Sequence, residues 1–284
     1  MKRKLIHHTF RAATGLCALA ACSVLGVVIG AIVHRGWPAL RWSFFTDQIQ
    51  MAGASGGILY NLLGTGILIG TAFAVTAPVA LAVALMHEVY LPCGRWRRLL
   101  GLLLYVLNGV PSILFGLFGF MVFVQWFGWG KSWLSGGLLL GFMILPTVTV
   151  ALMGRLAAVP RTRLEAAAAL GLRRSRIIRA VLLPPGIGGL VTGSLLGLAR
   201  AAGETAPIMF TATVFMGATL PDGIRENPVL TLPYHIFILA QDSFDPATGT
   251  KLWGTALTLL LVVSTLSLLA LPSRLCQNSP ASHD

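Results

Sequence analysis

Apolar stretches of about twenty residues follow one another along this chain, separated by short polar segments, and no other feature limits its folding so strongly. They run at about Ala13 to Val33, Leu62 to Met86, Leu102 to Phe127, Ser135 to Leu156, Gly186 to Phe215 and Trp253 to Leu271. A helix of that length spans a hydrocarbon core, and only a helix satisfies its own backbone there. With 56% hydrophobic and 11% charged residues and a mean hydropathy of +0.80, the chain carries more apolar surface than a soluble fold could cover. The expected fold is an all-α integral membrane protein with about six transmembrane helices.

A net charge of +12 could indicate a nucleic-acid partner, but the placement of the charges argues against one. Four basic residues precede the first span (Lys2, Arg3, Lys4, Arg11), and three lie between the second and third (Arg95, Arg97, Arg98). Seven follow the fourth, from Arg155 to Arg179, and Arg274 follows the sixth. The alternate segments hold only Arg35, Arg41, Lys131, Arg225 and Lys251. Positive charge gathers on the cytoplasmic side, so both termini are expected inside. Trp37, Trp42, Trp96, Trp126, Trp129, Trp133 and Trp253 sit near the expected interfaces as anchors. Between Gly217 and Lys251 the twelve-residue apolar run Val229 to Ala240 is too short to cross, which suits an external cap. Lys2 to Lys4 followed by Leu19-Ala20-Ala21-Cys22 imitates a lipoprotein signal, yet the apolar run continues to Val33 and makes a full span. Cys17, Cys22, Cys93 and Cys276 suggest neither disulfides nor a metal site, and the His7-His8 pair and His87 read as flanking residues. Pro78, Pro111 and Pro146 fall inside spans, where each can kink its helix.

The chain divides into residues 1–55, holding the N-terminal tail, first span and an external segment; residues 56–272, a transmembrane unit; and a cytoplasmic tail at 273–284. Within the unit, a basic cytoplasmic segment at about 160–185 holds the run Glu165-Ala166-Ala167-Ala168-Ala169-Leu170-Gly171 and, nine residues on, Val181-Leu182-Leu183-Pro184. Alanine, leucine and glutamate favour helix while Gly171 permits a sharp turn, so a helix, a bend and a second helix are expected. Arginines holding a surface helix against headgroups would account for the same composition. In span five, Gly189, Gly193, Gly197 and Ala201 repeat every four residues and clear one helix face for close packing. Arg200 and Glu204 fall within about 60° of that face on a continuous helix, and so are expected to point into the protein. A mid-membrane charge costs at least about 2.5 kcal/mol, so the pair invites a functional reading. Arg200 offers a forked donor to an oxyanion, with Glu204 holding it and limiting how tightly the anion binds. A pair that only neutralises itself and pins a helix contact is the alternative.

The segment from Glu165 to Pro184 resembles the EAA loop of ABC importer permeases, departing only in Val181 for isoleucine. Arg200-Ala201-Ala202-Gly203-Glu204-Thr205-Ala206-Pro207 and the stretch Leu107 to Gly119 resemble signatures of the phosphate-specific permeases of the PstA type, Ala202 replacing a bulkier apolar residue. The likeness runs from about Gly56 to Leu271. It implies the type I ABC importer permease fold in a bacterial inner membrane, with Arg200, Glu204 and Thr205 along the phosphate path. It also implies Glu165, Ala166, Ala167, Gly171 and Pro184 as the contact to an ATPase. The implied partners are a second homologous permease, a cytoplasmic ATPase dimer and a periplasmic phosphate-binding protein. No cofactor, metal or nucleic acid is implied. Nor is this subunit expected to be an enzyme: Gly130-Lys131-Ser132 has Gln125 where a phosphate loop needs glycine. A sulfate, molybdate or phosphonate permease shares the coupling loop. An ion-coupled carrier acting alone would show charges in several spans, and a membrane enzyme would need a His, Asp or Ser constellation that the spans lack.

Overall fold

The computed structural model describes residues 2–50, 55–91, 94–214, 217, 220–241 and 246–272. In chain order its helices are α1 (Lys2–Gly36), α2 (Trp42–Thr46), α3 (Leu59–Leu85), α4 (Arg95–Gly109), α5 (Ser112–Gly119) and α6 (Trp133–Ala157). Then come α7 (Arg161–Ala169), α8 (Arg174–Ile177), α9 (Leu183–Ala202), α10 (Ala206–Thr211), α11 (Leu232–Gln241) and α12 (Pro246–Leu269). A two-stranded antiparallel hairpin, β1 (Ile49–Gln50) and β2 (Ser55–Gly56), precedes α3, with Ile49 opposite Gly56.

Among the described residues, five helical stretches are long and apolar enough to cross a membrane: Phe10–Ala39, Leu59–Tyr90, Trp133–Ala157, Arg174–Ala202 and Thr248–Leu269. Two further pieces, Arg95–Gly109 and Ser112–Trp126, are apolar enough together but meet at 95°, the geometry of a broken span or a re-entrant loop, and bring the total to six if the pair counts as one span. That span was expected as one rod from Leu102 to Phe127. Pro111 breaks it: the ring removes a backbone donor and drives Val110 out of helical geometry, to φ −68° and ψ 130°. Span five also stops early, at Ala202, where Gly203 ends α9 and Pro207 enters the first turn of α10. Its expected end at Phe215 lies outside the described residues, as do Cys93, Arg274 and Cys276. Pro78 and Pro146, in contrast, sit inside helices that continue through them.

The core is built around α6. Leu140, Met143, Ile144 and Val148 of this helix meet Leu68 and Ala72 of α3 on one side and Leu198 and Ala201 of α9 on the other. The α9 contact is the close one that the small-residue stripe implies. A Cβ at Gly193 would lie 3.2 Å from both the Cα and the carbonyl oxygen of Val148, and one at Gly189 would lie 2.4 Å from Cγ of Arg155. Backbone thus approaches backbone, which any larger residue would prevent. α1 runs along the outside with both cysteines of its span exposed, and is tied at its end to α12, where the Arg35 guanidinium lies 5.0 Å above the Trp253 ring. Lys131 donates to the carbonyls of Met209 and Thr213, at 3.1 and 3.4 Å, and Ser132 caps α6, so this triplet fastens a turn.

Candidate functional site

Two broken spans meet at one polar corner. α4 ends at Asn108-Gly109 and α9 ends shortly after Arg200, so side chains at both ends are free of the helical stack. Arg200 Nη1 donates to Asn108 Oδ1 at 3.3 Å, and Arg200 Nε points to Glu204 Oε1 at 3.5 Å. From α6, the hydroxyl of Thr147, next to Pro146, donates to the same Asn108 oxygen at 3.0 Å. Four polar side chains from three spans therefore share one network. The two stretches carrying the family signatures also touch: a Cβ on Gly116 of α5 would come 3.0 Å from the Cα of Pro207 in α10.

The geometry differs from the helical projection in one respect. The glycine stripe is buried against α6, but the Arg200 side chain is 40% exposed, while Glu204 is 17% exposed. Arg200 lies at the edge of the stripe, and Glu204 follows Gly203, beyond the helix to which the projection applies. Glu204 is held instead by its backbone N–H, which donates to Ala201 O at 3.2 Å. Thr205 accepts through its carbonyl from Met209 N at 3.0 Å and so begins α10, and no hydrogen bond of its side chain caps that helix. Asn108 and Thr147 were not singled out from the sequence. The available signal was a lone amide in an apolar span just ahead of Gly109 and Pro111.

The basic segment at about 160–185 forms the expected helix, bend and helix. α7 ends at a left-handed Gly171 (φ +71°), whose N–H donates to Ala168 O at 2.9 Å, while Leu172 N donates to Ala167 O at 3.2 Å. Such a pair of bonds satisfies the last carbonyls of a helix and favours glycine at the turn. Ala167 is buried, whereas Glu165, Ala166 and Pro184 are exposed and Leu170 projects at 81% exposure. Beside it, Gly171, Arg173, Ser175, Arg176 and Arg179 line a concavity of about 500 Å³. Beneath, Leu164, Ile178 and Val159 pack on Leu152, Leu156, Leu182 and Ala84, which ties this foot to the base of α3, α6 and α9.

His87 is no mere flanking residue. It is buried in the turn that extends α3, with Nδ1 2.8 Å from Glu88 Oε1, and the other Glu88 oxygen accepts from Arg97 in the first turn of α4. The triad clamps the start of α4 to the end of span two. Among the described residues, no group of His, Cys, Asp and Glu could hold a metal ion.

Comparison with known proteins places this architecture. The family described as "Binding-protein-dependent transport system inner membrane component" matches residues 77–274. The phosphate transport system permease protein PstA 2 of Mycobacterium tuberculosis is 35% identical over 260 residues, covering 87% of this chain and 83% of that protein. The probable ABC transporter permease protein YqgI of Bacillus subtilis is 30% identical, covering 85% and 82%. Among solved structures, an inward-facing methionine ABC transporter, MetNI, superposes with a TM-score of 0.56 at 14% identity, covering 76% of this chain and 97% of its own. An amino acid ABC transporter with histidines gives 0.52 at 16% identity, covering 76% and 92%. The helical order, the packing around α6 and the match over most of the chain make this protein a member of the binding-protein-dependent transport system inner membrane component family, with the fold of an ABC importer permease.

Proposed function

We propose that this chain is one permease subunit of an ATP-driven importer that carries inorganic phosphate across the bacterial inner membrane. The observation supporting it most directly is the partly exposed corner where Arg200, Asn108 and Glu204 meet. A guanidinium on an open face attracts an oxyanion, and a carboxylate bound to the same guanidinium keeps the site from holding that anion too tightly. Relatives that share most of the chain are named as phosphate transport permeases.

ATP is hydrolysed on a separate cytoplasmic subunit. The foot around Glu165, Ala166, Ala167 and Gly171 presents the exposed knob Leu170 and a ring of arginines to it, and Pro184 starts the helix that leads back into the membrane. Because the foot packs rigidly on the base of α3, α6 and α9, its displacement moves whole spans. A second permease covers the partly exposed corner, and a periplasmic binding protein delivers phosphate to residues 56–272, the transporting unit.

Arg200→Gln tests the reading in the assembled transporter. Labelled phosphate uptake is expected to fall at least tenfold, about the loss expected for a hydrogen bond to a charged group, with normal amounts of chain in the membrane. Unchanged uptake would overturn the assignment. Uptake by the chain without any ATPase would point to an ion-coupled carrier instead.

A further inference from the structure

Arginine only donates hydrogen bonds, and the Thr147 hydroxyl reaches the same atom of Asn108, so that atom must be the amide oxygen. Its orientation is fixed by chemistry. The amide nitrogen is consequently turned away from both partners, on an exposed residue, and no described side chain or carbonyl accepts from it. Arg200 likewise has more N–H groups than its contacts to Asn108 and Glu204 use. One guanidinium therefore joins a free amide donor on one side to a carboxylate acceptor on the other.

We propose, resting on the phosphate-path reading above, that Asn108 is a second oxyanion donor in the path and that Glu204 selects anions still carrying a proton. Near neutral pH every phosphate or arsenate species keeps at least one hydroxyl, whereas sulfate has none. A ligand held by Arg200 and the Asn108 amide can donate that hydroxyl to Glu204. Sulfate brings only acceptor oxygens and meets the carboxylate as a repelling charge, which leaves a desolvated acceptor facing an acceptor. Thr147 is a positioning residue: it helps hold the amide oxygen inward so that the nitrogen stays outward. The selected class is the protonated tetrahedral oxyanions.

A binding protein imposes its own selectivity on uptake, so the test uses the purified transporter without it. The probe is the ³¹P line width of millimolar inorganic phosphate, with arsenate or sulfate as competitor. Wild type is expected to broaden the line, arsenate to reverse this at equal concentration, and sulfate to need roughly ten times more, the loss expected for one hydrogen bond to a charged group. Glu204→Gln can donate as well as accept, so sulfate should then compete nearly as well as arsenate. Asn108→Asp keeps the acceptor for Arg200 and Thr147 but loses the donor and adds a charge, so broadening should vanish. Asn108→Leu should weaken it less. A purely structural Asn108 predicts the opposite order, with aspartate harmless and leucine damaging. That order, equal competition by sulfate in wild type, or no broadening at all would overturn the proposal. If Asn108→Asp binds phosphate normally while Arg200→Gln abolishes uptake, only this inference fails. If Arg200→Gln transports normally, the underlying reading fails with it.

Discussion

Gly193 and Gly188 sit in the same helix, α9, yet they answer to different forces. A Cβ at Gly193 meets the α6 backbone at 3.2 Å, whereas one at Gly188 meets nothing within 4 Å. Gly193→Val should cost about 1–3 kcal/mol through overpacking and lower the melting temperature of the purified complex. Gly188→Ala should leave it unchanged or slightly raised, since alanine favours helix. A comparable loss in both variants would mean that the α6–α9 approach is not what the stripe provides. That stripe was legible in the sequence because four-residue spacing is a local property. The position of Glu204 was not, because it depends on where the helix ends, and Gly203 followed by Pro207 ends it before Glu204 is reached.

For whole elements, the most legible part was the foot from α7 to α8, where alanine, glutamate and glycine act over a few residues. Gly171 takes a left-handed backbone that costs other residues roughly 1–2 kcal/mol, while its surroundings leave room for a side chain. Gly171→Val should therefore leave the chain inserted but distort the foot, so that phosphate uptake falls while ATP hydrolysis by the assembled transporter persists. Normal uptake would show that the turn's shape is immaterial. The His87–Glu88–Arg97 clamp was hidden from sequence reasoning because its partners come from different helices and Arg97 lies among basic residues typical of a membrane edge. Glu88→Ala would leave Arg97 without its carboxylate, and the melting temperature should drop by several degrees, an effect smaller in Arg97→Ala Glu88→Ala than the sum of the single losses.

Across the whole molecule, the hairpin, α11 and α12 combine elements far apart in sequence. His235 is buried in α11, which is not one of the spans, and Lys251 donates to Gly56 O of the hairpin at 2.7 Å. Burial, with Lys251 nearby, pushes the His235 pKa down from 6.5 to about 4, so the folded protein holds the imidazole neutral. Above the ordinary histidine pKa both states are neutral and nothing is lost. As pH falls from 6.5 toward 4 the unfolded chain takes up the proton first, and stability declines by up to about 3 kcal/mol. Thermal denaturation followed over that range should show a slope that His235→Leu flattens; an unchanged slope would remove His235 as its source. The bend at Pro111 has a further consequence. The fifteen residues of α4 reach only about 22 Å, less than the roughly 30 Å of hydrocarbon, and they deliver a polar corner to that depth. A solitary copy thus presents acyl chains with an unfinished wall, and cells making it as an orphan should clear it by proteolysis far faster than cells that supply its companions.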